Sequence, residues 1–136
     1  MGVRIQDLPK RVQDQIKEQE KEPSKRFLAR AASPAGRTMN KWEQAYANHL
    51  ESKKLRGEII MYQYEALKFR LANYKTFYTP DFIVQNSELH LEVHEVKGHW
   101  EDDARVKIKV AASLFPYMIF YAITKKNGVW SYERIR

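Results

Sequence analysis

The sequence predicts an α/β domain in which helices flank a mixed β-sheet, and three observations support this prediction. Residues 38–57 carry apolar side chains at helical spacing, whereas residues 59–97 alternate polar and apolar side chains as half-buried strands do. Residues 101–115 have the pattern of a second helix. The run at 117–123 that follows is continuously apolar, as expected of a strand buried on both faces. A helix in this position can serve as the crossover between two parallel strands.

The boundaries of these elements follow from capping and turn residues. Thr38 or Asn40 can cap the first helix, and Gly57 suits its end. Pro80 interrupts the third strand, and Asn127-Gly128 predicts a tight hairpin before the last strand. Besides the apolar run, strands are predicted at residues 59–64, 67–71, 77–84, 89–97 and 129–134.

Residues 1–37 differ in composition from the rest and are predicted to form a basic arm and linker, with the domain at residues 38–136. One helix is predicted around residues 8–19, and Pro23 ends it. Residues 33–36 have the composition of a linker. Two interpretations stay open for this segment, a solvated helical or flexible arm and a basic arm that tracks DNA.

The composition limits the class of protein. Hydrophobic residues make up 43% of the chain and aromatic residues 12%, which is enough for a core and excludes wholesale disorder. The formal net charge of +7 indicates a polyanionic partner, usually nucleic acid, although a membrane surface also fits. The absence of cysteine excludes disulfides and thiolate metal sites. No apolar run approaches the roughly 20 residues needed to span a bilayer, so we expect no membrane partner and a cytoplasmic location.

The residues with catalytic potential lie within residues 78–98. In a strand, Glu95 and Lys97 point to the same face as the apolar Val93. Burial of a carboxylate and an ammonium group is unfavourable unless they pair or meet a metal ion. The hairpin to the preceding strand can bring Asp81 beside Glu95, because neighbouring strands lie about 4.8 Å apart.

Two carboxylates this close repel each other, and a divalent cation such as Mg²⁺ relieves the repulsion by using both as oxygen ligands. Lys97 is then within reach of a phosphate, and the backbone carbonyl of Val96 is a further candidate ligand. This arrangement suits phosphodiester hydrolysis. In the alternative interpretation, Asp81 ends a turn after Pro80 while Glu95 and Lys97 form an ordinary ion pair. The spacing alone leaves both open.

The segments Thr79–Phe82 and Glu95–Gly98 together resemble the bipartite motif of the PD-(D/E)XK nuclease superfamily. The order helix, three strands, helix, strand is also similar to the core of that superfamily. The resemblance covers residues 38–136. Within the superfamily it is closest to the phage endonuclease I type Holliday junction resolvases and to small phage proteins that resemble them.

This resemblance implies a restriction-endonuclease-like fold and a Mg²⁺-dependent endodeoxyribonuclease in which Mn²⁺ substitutes for Mg²⁺. Asp81 and Glu95 would bind the metal ion, and Lys97 would orient the attacking water or stabilise the transition state. An acidic residue on the first helix often completes such a site. Glu43 is the candidate here, and Glu51, two turns further on, is the second choice.

The resemblance also implies branched DNA, such as a Holliday junction, as the substrate, and a role in DNA recombination in the host cytoplasm if the protein is phage-encoded. A homodimer is expected, because one site in so small a chain cannot cut two strands symmetrically. Alternatives within the class are a nickase, a DNA-end-processing enzyme and a transposase-like cleavage subunit. An alternative of another class is a non-catalytic basic DNA-binding module.

Residues near the motif have weaker expectations. His94 and His99, which flank the motif, are expected to face solvent or DNA. Trp100 suits either stacking on a base or filling the core. Arg105, Lys107 and Lys109, on the second helix, suit either phosphate contacts or a solvated helix face.

Overall fold

The computed structural model describes residues 4–20 and 36–136 of the chain. The chain divides into two compact units, Met1–Ala31 and Ala32–Arg136. In the first unit a short 3-10 turn, Ile5–Asp7, precedes helix α1, Lys10–Glu20, where the sequence predicts a helix. The predicted helix end at Pro23 lies outside the described residues. Within the described part of the chain, no helix is both long and apolar enough to cross a membrane.

The second unit has a helix, a group of strands, a second helix and then further strands, in the order that the sequence predicts. Its elements in chain order are α2 (Lys41–Leu55), β1 (Ile59–Tyr64), β2 (Phe69–Ala72), β3 (Thr76–Tyr78), β4 (Phe82–Asn86), β5 (Leu91–Val96), α3 (Asp102–Leu114), β6 (Ile119–Lys126) and β7 (Val129–Ile135).

Five strands form one mixed sheet in the order β1-β4-β5-β6-β7. Strands β5 and β6 pair in parallel, and the other neighbours pair antiparallel. Helix α3 makes the connection between β5 and β6, which is the predicted crossover. The predicted α/β class with a mixed sheet is therefore confirmed.

Helix α2 begins where the sequence predicts because Asn40 and Glu43 form a capping box. The Asn40 side chain accepts hydrogen bonds from the backbone N–H groups of Trp42 and Glu43, and the Glu43 carboxylate accepts one from the Asn40 N–H. These contacts satisfy backbone donors that have no partner inside the helix. The capping box fixes the first turn of α2, including the Glu43 side chain.

The two helices cover opposite faces of the sheet. On one face, Tyr46 and Leu50 of α2 pack against Phe82 and Val84 of β4. On the other face, the α3 residue Ile108 joins a second core, which also includes side chains from β2, β3, β5, β6 and β7. Side chains that point to either face of the sheet are therefore buried, as in other sheets with helices on both faces.

Two strand predictions are wrong in part. The strand predicted at residues 77–84 is interrupted at Thr79–Asp81, as Pro80 indicates, but its two parts belong to different sheets: β3 pairs with β2 in a separate hairpin, and β4 belongs to the main sheet. Pro80 lies at the break, where it lacks the N–H that a continuous strand would need. The run at 117–123 is only partly a buried strand, because Tyr117 is 77% exposed and β6 begins at Ile119.

Candidate active site

Asp81 and Glu95 lie side by side, as predicted. Strands β4 and β5 are antiparallel with Phe82 opposite His94, so the same register puts Asp81 opposite Glu95. The backbone N–H of Asp81 donates a 3.4 Å hydrogen bond to Glu95 Oε2. Both carboxylates are buried, with 6% and 7% of the residue exposed. The pairing that the motif requires is therefore present in the fold.

The environment of Asp81 disfavours its charge. Its Oδ2 accepts a 2.7 Å hydrogen bond from the backbone N–H of Val96. Burial and repulsion by Glu95 nevertheless raise the pKa of Asp81 to about 8, although the Val96 N–H and the Lys97 ammonium oppose this shift. A carboxylate whose charge is disfavoured in this way is stabilised by binding either a proton or a cation.

Glu95 is held by two side chains. The Tyr78 hydroxyl donates a 2.8 Å hydrogen bond to Oε2, and Lys97 Nζ lies 3.0 Å from Oε1. Burial lowers the pKa of Lys97, but the carboxylates of Glu95 and Asp81 raise it, and the net direction is upward. Lys97 is half-buried and keeps its positive charge at neutral pH.

Glu43 lies close to the same centre. Its charge contributes to the raised pKa of both Asp81 and Lys97. The carboxylate is buried rather than solvated, and its Oε2 accepts a 2.8 Å hydrogen bond from the Tyr64 hydroxyl. Glu51 instead accepts a 2.7 Å hydrogen bond from Tyr62. Of the two helix candidates, Glu43 is the one whose charge acts on the Asp81 centre.

Gly98 allows α2 to approach the end of the motif. A Cβ atom at Gly98 would lie 2.8 Å from two atoms of the Trp42 indole ring. Only glycine accommodates this contact without a shift of the ring or the backbone. Trp42 immediately precedes Glu43 in α2, so this contact joins the first turn of the helix to the segment after Lys97.

The expectation that His94 faces solvent or DNA is wrong. His94 is 2% exposed, with Nδ1 at 2.6 Å from the Tyr46 hydroxyl and Nε2 at 2.8 Å from Glu92 Oε2. Burial lowers the pKa of His94, although Glu92 opposes this effect. A neutral ring that donates from Nε2 to Glu92 accepts from Tyr46 at Nδ1. His94 therefore forms a polar link between α2 and β5.

Several residues around the site carry no role in the sequence-based prediction. Tyr64 and Tyr78 donate to the two carboxylates described above, and buried tyrosines usually require such a partner. The Glu65 N–H donates to the Asp81 carbonyl at 2.8 Å, and Glu65 Oε2 lies 3.6 Å from Arg37 Nε. The sequence offers one signal for Tyr64 and Tyr78: each lies at an inward position of a strand that flanks the motif.

A cleft of about 470 Å³ opens beside these residues. Glu95 and Lys97 line it, together with Phe77 and Tyr78 from β3 and with Lys107 from α3. Arg105 instead forms an ion pair with Glu133, at 2.9 Å, and Trp100 packs against the core beneath α3. Lys107 is thus the predicted basic residue of α3 that lines the cleft.

The donor set fits a divalent cation of the Mg²⁺ type. Within residues 4–20 and 36–136, no three His, Cys, Asp or Glu side chains converge to hold a metal ion by themselves. Mg²⁺ commonly uses only one or two carboxylates and takes its other ligands from water and substrate phosphate. Asp81 and Glu95 supply such a pair. Burial, and after it the negative charge of Glu95, raises the pKa of Asp81, and a cation would offset that charge.

Comparison with protein-family models, curated proteins and solved structures finds no match for this chain. Its function is therefore inferred from its own residues and their contacts.

Proposed function

We propose that residues 38–136 form a Mg²⁺-dependent DNA endonuclease that hydrolyses phosphodiester bonds. The observation that carries this proposal is the buried pair Asp81 and Glu95, with Lys97 Nζ 3.0 Å from Glu95 Oε1 at the edge of a cleft. A lone acid–lysine pair is common, but a second buried carboxylate beside it is unfavourable without a compensating ligand. That unfavourable arrangement supports a catalytic rather than a structural role.

Bound Mg²⁺ would activate water for attack and offset charge on the phosphate. Asp81 and Glu95 would hold the cation, with the Val96 carbonyl as a further candidate ligand. The Val96 N–H fixes the Asp81 carboxylate, and the Tyr78 hydroxyl fixes that of Glu95. Fixed donors and acceptors reduce the reorganisation needed as charge develops in the transition state.

Lys97 would supply positive charge to the phosphate. Its ammonium group is held by Glu95, and its side chain, which is 35% exposed, lines the cleft. Since its pKa is raised, it stays protonated at neutral pH and stabilises negative charge on phosphate oxygens. Lys107, which also lines the cleft, would contribute to docking of the DNA backbone.

Branched DNA, such as a Holliday junction, is the preferred substrate, and Mn²⁺ is expected to substitute for Mg²⁺. Both statements rest on the resemblance of the motif. Symmetric cleavage of two strands would require two copies of the site, which favours a homodimer. A restriction-endonuclease-like core and a location in the cytoplasm belong to the same proposal.

The alternatives within the same class are nicking, DNA-end processing and transposase-like cleavage. They would use the same hydrolysis of phosphodiester bonds and differ in the DNA substrate. A non-catalytic basic DNA-binding module is the rival of another class. Such a module has no need of the buried pair Asp81 and Glu95 beside Lys97, and the charge of a third buried acid, Glu43, also acts on Asp81 and Lys97. This cluster favours the enzyme over the rival.

The proposal is tested by incubating the full chain with fluorescent duplex, flap, single-stranded and four-way DNA, with Mg²⁺ or with EDTA. Cleavage of at least one substrate with Mg²⁺, and none with EDTA, is expected. Preference for the four-way DNA would support the resolvase activity. Binding to DNA without cleavage of any substrate in Mg²⁺ or Mn²⁺ would favour the non-catalytic module.

Glu43→Gln is expected to lower the cleavage rate about tenfold or more and to leave the fold intact. Glutamine also functions at this position of a capping box, so the start of α2 is retained while the charge is lost. Glu51→Gln is the matched control on the same helix, because Glu51 contacts Tyr62. Single-turnover cleavage and melting temperature are measured for both variants. If Glu43→Gln cleaved DNA as fast as Glu51→Gln, Glu43 would have no role in the active site.

A further inference from the structure

The hairpin formed by β2 and β3 is basic and directly precedes Asp81. Residues 66–80 contain three cations, Lys68, Arg70 and Lys75, and no acidic residue. All three side chains are exposed. The turn of the hairpin carries Tyr74, which is 98% exposed. An exposed aromatic ring among cations has the composition of a nucleic-acid contact.

The turn holds Tyr74 and Lys75 in an unfavourable backbone conformation. Their φ angles are +62° and +58°, in the left-handed region that bulky residues rarely adopt. The turn between β6 and β7 also has two consecutive positive φ angles, but there the residues are Asn127 and Gly128, which tolerate them. The turn has a tyrosine and a lysine at these positions despite the backbone strain. This indicates that the two side chains have a function there.

The base of the hairpin is part of the candidate active site. Phe77 lines the cleft, and Lys68 Nζ lies 4.4 Å from the centre of its ring. On the other side of the hairpin, Phe69 stacks on Tyr78, whose hydroxyl holds Glu95. Tyr74 lies in the turn, two residues before β3 begins at Thr76, and the cleft is lined by Phe77 and Tyr78 toward the other end of β3. The hairpin thus connects its exposed turn to the cleft through the short strand β3.

We propose that this hairpin binds the DNA strand that leaves the cleft, with phosphates on its cations and an unstacked base on Tyr74. This inference rests on the proposed nuclease function and specifies its substrate. A base inside a duplex is already stacked on both faces and does not reach an external ring. Tyr74 therefore favours DNA with unpaired or splayed bases, as at a branch point, over continuous duplex.

The test measures binding separately from cleavage. Fluorescence anisotropy of the full chain is recorded with four-way DNA and with a duplex of matched sequence, with Ca²⁺ in place of Mg²⁺. Tyr74→Ala is expected to weaken binding to four-way DNA by about 5- to 150-fold, the range for loss of one base–aromatic stack. Binding to the duplex should change less than about twofold. Tyr74→Phe keeps the ring and should bind four-way DNA like the parent chain.

A second variant shows that any loss of binding is not a loss of folding. Tyr74→Asn places a residue that tolerates positive φ at the strained position. It is expected to raise the melting temperature while still weakening binding to four-way DNA. Higher stability combined with normal binding would overturn the proposal, because the ring would then have no role in recognition.

The hairpin cations are tested through the salt dependence of binding. Replacement of Lys68, Arg70 and Lys75 by Gln is expected to reduce the slope of log K against log salt by about 2 to 3, since each phosphate contact contributes about 0.7–0.9. Lys125→Gln with Lys126→Gln, beside the β6–β7 turn, is the control and should leave the slope nearly unchanged. Equal slopes for the hairpin variant and the parent chain would overturn this part of the proposal.

The outcomes separate the hairpin from the active site. Normal cleavage and binding of four-way DNA by Tyr74→Ala would overturn the hairpin proposal and leave the nuclease intact. Weakened binding by Tyr74→Ala in a chain that does not cleave DNA would retain the hairpin as a DNA contact and reject the nuclease. A parent chain that binds no DNA would reject both.

Discussion

Lys97→Ala is expected to lower the rate of DNA cleavage by about 100-fold or more while DNA binding persists. The ammonium group lies 3.0 Å from Glu95 and beside Asp81, and it keeps its charge at neutral pH. Removal of one preorganised electrostatic group from an active site commonly lowers turnover by about 10²–10³-fold. The remaining basic residues still neutralise the DNA backbone, so affinity should change little.

Lys107→Ala is the matched control, because Lys107 lines the same cleft from α3. It is expected to weaken binding and to leave single-turnover cleavage at saturating protein nearly unchanged. Gel-shift affinity and single-turnover rates are measured on the same four-way DNA at one salt concentration. Near-normal cleavage by Lys97→Ala would mean that Lys97 is only an ion-pair partner of Glu95. Lost binding with an intact fold would make it a docking residue.

The pairing of Asp81 with Glu95 could be predicted because it depends on local rules. Alternation along a strand fixes which side chains share a face, and a short hairpin fixes which residues lie opposite one another. Both rules act over the 14 residues that separate the two carboxylates. The start of α2 at Asn40 is predictable for the same reason, since a capping box spans only one turn.

Contacts between distant segments could not be predicted from the sequence in this way. His94 is buried because Tyr46, 48 residues earlier, packs on it, and nothing in the pattern around His94 indicates that partner. The interruption at Pro80 is predicted, but the membership of its two parts in different sheets likewise depends on tertiary pairing, because β3 pairs with β2 whereas β4 joins the main sheet. The hydroxyl of Tyr64 meets Glu43 only when α2 lies against the sheet.

Without divalent cations, Asp81→Asn is expected to raise the melting temperature at pH 8 by about 5 °C or more, a shift that corresponds to about 1 kcal/mol in a domain of this size. In the folded chain, burial and the charges of Glu95 and Glu43 raise the pKa of Asp81 to about 8, from an ordinary value of 3.8, despite the opposing charge of Lys97. Asparagine removes the repelled charge and can still accept a hydrogen bond from the Val96 N–H.

The sign of the pH dependence follows from proton binding. Between pH 4 and pH 8 the folded state of the parent chain binds more protons at Asp81 than the unfolded state, so the free energy of unfolding falls as pH rises. This stabilising contribution is fully present below the unfolded pKa and is lost as pH passes the folded pKa. Melting temperatures in EDTA should therefore decline toward pH 8 more steeply in the parent chain than in Asp81→Asn.

Mn²⁺ provides the decisive comparison at pH 8. A cation bound by Asp81 and Glu95 offsets their charge, so Mn²⁺ is expected to raise the melting temperature of the parent chain and to change that of Asp81→Asn much less. Asp102→Asn, at an exposed position at the start of α3 and outside the lining of the cleft, is the control and should respond to pH and Mn²⁺ like the parent chain. If Asp81→Asn instead melts below the parent chain at pH 8 in EDTA, the Asp81 carboxylate stabilises the metal-free fold through Lys97. The argument for a cation between the two carboxylates would then fail.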